Sequence, residues 1–354
     1  MIPRLDISFP LRNQWAFCFG QAYAPAKGEY LLNHARSGIV MALRAALPKG
    51  GRVGVVAYNC HTVANAVVES GCTPVFIDVT ENLHVDLQHL AAQQLDAIVV
   101  TNLFGIRNDI AAIQAVQPNA IIIVDNAHGY GLPAEGDFTV YSINQGKFPA
   151  LGEGGILMVN NALYQDAIQQ QYVVLPTYSK WQELKLFMVM LVKAWMHIPL
   201  VYGLITKQLK GHRGVIHCRE SIRMKRMARG IINLYTAALP SISQQITQQR
   251  ENAQRIADHL LAQKLATDVW YGENAFMAIA RCDNPEQLSQ YFAKYSVETA
   301  THFARAIEWA KEFGYTEGQC PMAERLTREL IMIPTYKKIT YEYPFRFWTS
   351  CSST

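Results

Sequence analysis

The chain predicts an α/β protein: a three-layer α/β/α arrangement with a mainly parallel sheet, followed by a smaller C-terminal α+β unit. Three observations carry this. Short apolar runs alternate with amphipathic stretches from Ile39 to Val159, the pattern of strands crossed over by helices. Several of those runs end in polar or glycine-rich turns, where open α/β sheets place their ligand chemistry. After Asn160 the composition changes, and a shorter mixture of helix and strand closes the chain.

The expected strands are Val53–Ala57, Val75–Asp78, Ala97–Val100, Ile121–Asp125, Phe138–Ser142 and Ile156–Val159. Between them the helical period fits Ile39–Ala46, Thr62–Glu69, Leu87–Gln93 and Ile110–Val116. A long helical pattern runs from about Ile222 to Leu261, interrupted by Pro240. Then come a strand near Phe276–Ala280, a helix at Pro285–Tyr295 and a helix at Met322–Leu330 with Pro321 at its start. The expected division is a large domain over 1–235 and a small C-terminal domain over 236–354.

Composition narrows the function. Half of the 354 residues are hydrophobic and the formal charge is only +4, with no basic run interleaved with aromatics, so no nucleic-acid partner is expected. Seven scattered cysteines without a CxxC pair argue against a metal site and a disulfide framework. The N-terminal stretch MIPRLDISFPLRNQ has no apolar core of a secretory signal, so a cytoplasmic setting is the expectation.

One segment stands apart. Residues 176–230 hold eleven Lys/Arg against two Glu, a local charge of +9 that leaves −5 for the rest. Inside it, 184–209 (LKLFMVMLVKAWMHIPLVYGLITKQL) is strongly apolar, yet Lys193, His197 and Pro199 make it a poor spanning helix. Two readings stand: a peripheral membrane contact with lysines on anionic headgroups, or a hydrophobic lid or dimer-interface pair facing a diphosphate.

The chemistry gathers in Asp125-Asn-Ala-His128 and in Ser142-Ile-Asn-Gln-Gly-Lys147, the latter followed by Gly152-Glu-Gly-Gly155. A run of β-branched residues delivers Asp125 to a buried strand end, where a carboxylate needs a partner. A protonated pyridine nitrogen would serve; so would a helix N-terminus or a basic side chain. Lys147 sits in a turn five residues past a strand-end serine. Burial beside a cationic ring would make its amine nucleophilic, whereas a lone loop lysine is commonly just solvated. Ser37-Gly38-Ile39, at the start of a helix, offers N–H groups to an anion or is a plain cap.

In order and spacing, these segments resemble the DegT/StrS-like sugar aminotransferases, a branch of the fold-type I pyridoxal-phosphate (PLP) enzymes. Gly71-Cys-Thr-Pro-Val-Phe-Ile-Asp78, Leu103-Phe-Gly105, Ile222-Arg223-Met224 with Arg250, and Leu330–Tyr336 match further family motifs. The resemblance implies that PLP forms a Schiff base with Lys147 and pairs its ring nitrogen with Asp125. Ser142, Ser37, Gly38 and Ile39 would hold the phosphate, and His128 and His61 would flank the ring. Arg223 would bind substrate. It also implies an amino donor such as glutamate, a nucleotide-linked keto-sugar acceptor, a role in surface polysaccharide synthesis, and a homodimer. Three positions depart from the family: His128 stands for glutamine, Ile39 for threonine, and Ser221 for an asparagine that reaches the neighbouring subunit's phosphate. Two rivals remain: other PLP chemistry such as dehydration or elimination, and a non-catalytic, membrane-associated descendant.

Overall fold

A computed structural model of the chain describes residues 2–3, 9–21, 23–198, 201–202 and 218–339. Its centre is a seven-stranded sheet: β1 (Glu29–Leu32), β2 (Arg52–Val56), β3 (Thr73–Ile77), β4 (Ala97–Thr101), β5 (Ile121–Asn126), β6 (Phe138–Ser142) and β7 (Gly155–Val159). Their spatial order is β1-β7-β6-β5-β4-β2-β3. Strands β3, β2, β4, β5 and β6 run parallel; β7 and β1 are antiparallel to their neighbours. The runs Val53–Val56, Ala97–Val100 and Ile122–Val124 are buried throughout, as expected where helices cover both faces of a parallel sheet.

Helices α1 (Leu11–Phe19), α2 (Ala35–Ala46), α3 (His61–Glu69), α4 (Leu87–Ala91), α5 (Ile110–Val116), α6 (Gln165–Val173) and α7 (Lys180–Met196) belong to this part. Asp86 caps α4 through the Gln88 and His89 N–H groups, and Asp109 caps α5 through Ala112. The chain then forms α8 (Arg229–Ala238) and α9 (Ile242–Ala262). It closes with β8 (Asp268–Tyr271), β9 (Met277–Arg281), α10 (Pro285–Lys294), α11 (Ala306–Lys311), α12 (Pro321–Glu329) and β10 (Leu330–Pro334). The last three strands make an antiparallel sheet in the order β10-β9-β8. The main apolar core runs on into this region through Met277, Ile279, Phe303 and Leu326.

The expected mainly parallel sheet is present, and each of its six anticipated strands lies within two residues of the observed one. Three features differ. β1 was not anticipated, because a four-residue edge strand is too short to show alternation. The helix expected from Ile222 begins at Arg229; before it, the Met227 N–H donates to the Leu31 carbonyl and the Asn33 N–H to Lys225, laying this stretch beside β1. Leu330, expected to end a helix, opens β10, an unbroken buried LIMIP run whose period does not separate helix from strand.

Of segment 184–209, residues 199–200 and 203–209 lie outside the described residues, as does the tail 340–354. Helix α7 turns Phe187 and Met190 inward against Phe9, Phe17 and Met227. It leaves Trp181, Met188, Val192 and Trp195 exposed, and α1 exposes Leu11, Trp15 and Phe19 on one stripe. Among the described residues no helix is long and apolar enough to cross a membrane.

Candidate active site

Four neighbouring parallel strands end at one place. Asn59 follows β2, Thr101 ends β4, Asp125 lies at the end of β5, and Ser142 ends β6; all four line one cavity of about 200 Å³. The parallel register sets Thr101 directly beside Asp125. Asn59 Nδ2 donates to Thr101 Oγ1 (2.9 Å), and the Thr101 hydroxyl reaches Asp125 Oδ2 at 3.4 Å. Asp125 Oδ1 accepts the Ala127 N–H at 2.9 Å. Burial raises the pKa of Asp125, opposed by the Ala127 hydrogen bond and by Lys147. A buried carboxylate so sparsely bonded suits a cationic partner.

Lys147 is held by a tight fold-back of 143–154. The Ile143 N–H donates to the Gly154 carbonyl, Gln145 to Gly152, and Leu151 to Ile143. Gly154 has φ +139°, and a Cβ there would lie 2.6 Å from Ile143, so the turn needs glycine at this position. Lys147 Nζ lies 2.6 Å from His128 Nε2. The Phe104 N–H donates to His128 Nδ1 (3.2 Å), so the neutral ring carries its proton on Nε2. Burial lowers the pKa of Lys147, and burial together with the charge of Lys147 holds that of His128 well below its ordinary value.

His128 is packed between Phe104 and Phe276, with ring centroids 5.1 and 5.2 Å away. Its carbonyl accepts from Asn274 Nδ2 (2.8 Å), so the turn between β8 and β9 helps to place it.

The first turn of α2 also lines the cavity, through His34, Ala35, Arg36 and Ile39. Ser37 and Gly38 do not. The Ser37 hydroxyl donates to Asn33 Oδ1 (2.9 Å), and Gly38 packs toward Val140 and Leu157. They belong to the same turn as Arg36 but point into the core. Asn33 also accepts the Lys225 N–H (3.1 Å) and donates to the Arg223 carbonyl (2.8 Å). Burial, aided by Arg36, lowers the His34 pKa to about 4.

His61 and Arg223 also fall outside this cavity. The His61 ring lies edge-on to Trp309, 5.2 Å between centroids, and Cys60 takes the position facing the cavity. Burial pushes the Cys60 thiol up, but hydrogen bonding to His61 and the charge of Lys147 outweigh it, leaving a pKa of about 7. Arg223 is exposed on the stretch beside β1. Sequence reasoning did not single out Arg36, Asn59, Cys60, Thr101 or Asn144. For Asn59 and Thr101 a signal existed: each closes a parallel strand at the edge where Asp125 and Ser142 were already placed.

A second, larger cavity of about 730 Å³ is also lined by Lys147. Its wall carries Gln244, Gln245, Gln248 and Gln249 of α9, with Arg12, Phe276 and Tyr336. Among the described residues no three metal-ligating side chains cluster.

The family is decided by the sequence as a whole. Residues 23–344 match the family described as the DegT/DnrJ/EryC1/StrS aminotransferase family. The chain belongs to it. The enzyme is therefore an aminotransferase of a family that acts on sugars, with the α/β fold that the motifs implied. It is 23% identical to the spore coat polysaccharide biosynthesis protein SpsC of Bacillus subtilis (strain 168), covering 90% of this chain and 83% of SpsC. Its fold is similar to that of the PMP form of Spr1654 from Streptococcus pneumoniae: TM-score 0.69, 16% identity, 96% of this chain and 94% of that one. It is also similar to that of DesI, determined in the presence of its TDP-sugar product: TM-score 0.65, 18% identity, 87% and 75%.

The residues present fit PLP, the cofactor that the family implies. One cavity is lined by a buried acid (Asp125), a buried amine (Lys147), a guanidinium (Arg36) and the first turn of α2. This polarity suits a pyridinium, a phosphate and an aldehyde.

Proposed function

We propose that this aminotransferase moves an amino group from glutamate to a nucleotide-linked keto-sugar in surface polysaccharide synthesis. The single observation carrying this is the cavity that Asp125, Lys147 and the first turn of α2 line together. PLP, when bound, supplies an electron sink that makes the proton on the substrate carbon removable. Asp125 would hold the ring nitrogen protonated. Lys147 Nζ would take the proton from the substrate carbon and return it. Ser142 and the turn of α2 would hold the phosphate. His128, 2.6 Å from Lys147 Nζ, would position that amine.

The amide-rich cavity that Lys147 also lines supports a hydroxylated acceptor: glutamines offer donors and acceptors without charge. Arg12 at its wall and the basic segment 176–220 would neutralise a diphosphate. We assign the cofactor site to the 1–235 domain and the lid over it to 236–354, which contributes Phe276 and Phe303. The exposed stripes of α1 and α7 we assign to a homodimer contact in the cytoplasm. Light scattering should give a dimer mass, and dissociation into monomers on anionic vesicles would favour lipid instead.

The deciding assay supplies glutamate and a series of nucleotide-linked keto-sugars. Amino-sugar formation by the wild type, lost in Lys147→Ala, is the expected result. Release of a deoxy-keto product without amino transfer would mean an elimination enzyme. No turnover of any substrate by cofactor-loaded wild type would mean a non-catalytic protein.

A further inference from the structure

We propose that Arg36 grips the cofactor's phosphate from within the same protomer; this rests on the reading that Asp125 and Lys147 engage PLP. Arg36 is the second residue of α2 and lines the cavity together with Ser142, Asn144 and Lys147. Its Nε is buried and has no hydrogen-bond partner. A guanidinium cannot relieve such burial by losing its proton, so an unpaired N–H there is costly until an anion meets it. The acid that feels its charge, Glu153, is engaged elsewhere, accepting the Tyr178 hydroxyl. Ser142, Asn144 and Lys147 line the same cavity, and Asp125 is the carboxylate in its lining. A lining that holds both a guanidinium and a buried carboxylate calls for a ligand carrying an anionic and a cationic group. Phosphate is the anion whose oxygens match the fork of a guanidinium.

The position adds to the case. Ser37 and Gly38 are turned into the core, so the hydroxyl expected to serve the anion is bonded to Asn33 instead. Arg36 is the side chain of that turn that can replace it.

The test titrates full-length, cofactor-stripped protein with PLP and with pyridoxal, which lacks the phosphate, following bound ligand by equilibrium dialysis. Arg36→Ala should weaken PLP binding about ten- to a hundredfold, the range of a charge-assisted hydrogen bond, and change pyridoxal binding by less than about twofold. Arg36→Lys, keeping the charge without the fork, should fall between. Unchanged pyridoxal affinity also shows that the variant is folded. If Arg36→Ala binds PLP as tightly as the wild type, or loses both ligands equally, the assignment is overturned. If the wild type itself fails to bind PLP, the reading of the whole cavity falls and takes this one with it.

Discussion

Two aspartates end strands of the same sheet, both almost wholly buried, and they are used in opposite ways. Asp78, following β3, accepts the N–H groups of Met322 (2.9 Å) and Ala323 (2.8 Å) at the start of α12, and that of Val79 (2.9 Å). Its charge is spent on fastening the C-terminal helix to the sheet. Asp125 has one backbone donor and a long contact with Thr101. Strand-end position and burial alone therefore do not mark a functional acid. The number of donors already aimed at it does, because a carboxylate with its donors in place has little left to offer a ligand.

The contrast can be broken by experiment, the largest effect first. Lys147 stands within electrostatic reach of Asp125. Lys147→Ala should lower amino transfer by about three orders of magnitude or more in steady-state assays while the denaturation midpoint holds. Loss of the fold along with the activity would undo the contrast.

Next come the acids themselves. Asp78→Ala should cost about 3 kcal/mol in urea unfolding of the ligand-free protein, since two helix N–H groups lose a charged acceptor. Asp125→Asn should cost nothing there and stabilise slightly at neutral pH. The folded-state pKa of Asp125 is raised, so its contribution is lost as pH rises through the unfolded value near 3.8 toward the folded one. The same variant should turn over about a hundredfold more slowly. Equal destabilisation by the two substitutions would erase the distinction.

A smaller effect sharpens the picture of the cavity wall. His34 and His128 have lowered pKa values in the folded state, so the unfolded chain binds more protons below about pH 6.5 and stability falls as pH drops. For His34 the loss runs from about 6.5 down through about 4. His34→Asn should flatten that acid limb by up to about 1.4 kcal/mol per pH unit, read from denaturation at pH 4.5, 5.5 and 6.5. The smallest change is His128→Gln, which keeps an amide N–H for Lys147. Activity should fall only about two- to tenfold, with its pH profile displaced.

Much of this was legible in the sequence. β-branched runs such as Ile121–Val124 have one comfortable place, a sheet covered on both faces, and they pointed to a mainly parallel sheet. Asp125, Ser142 and Lys147 could be placed from their spacing along those strands. Of the α2 residues singled out from the sequence, Ile39 lines the cavity and Ser37 and Gly38 do not, while Arg36 beside them does. Which residue of a first turn faces out is fixed by packing, here Gly38 against Val140, and not by residue type. His61 escaped for a similar reason: Trp309, some 250 positions later, draws its ring away. Phe276 and Asn274 act on His128 from the turn between β8 and β9, and a contact of that span leaves no local trace.

Asn33 ties these parts into one lever. A single amide clasps the first turn of α2 on one side and the backbone of Arg223 and Lys225 on the other. The backbone at Arg223 and Lys225 and the helix turn that carries Arg36 therefore share one anchor, so replacing that single amide would loosen both at once.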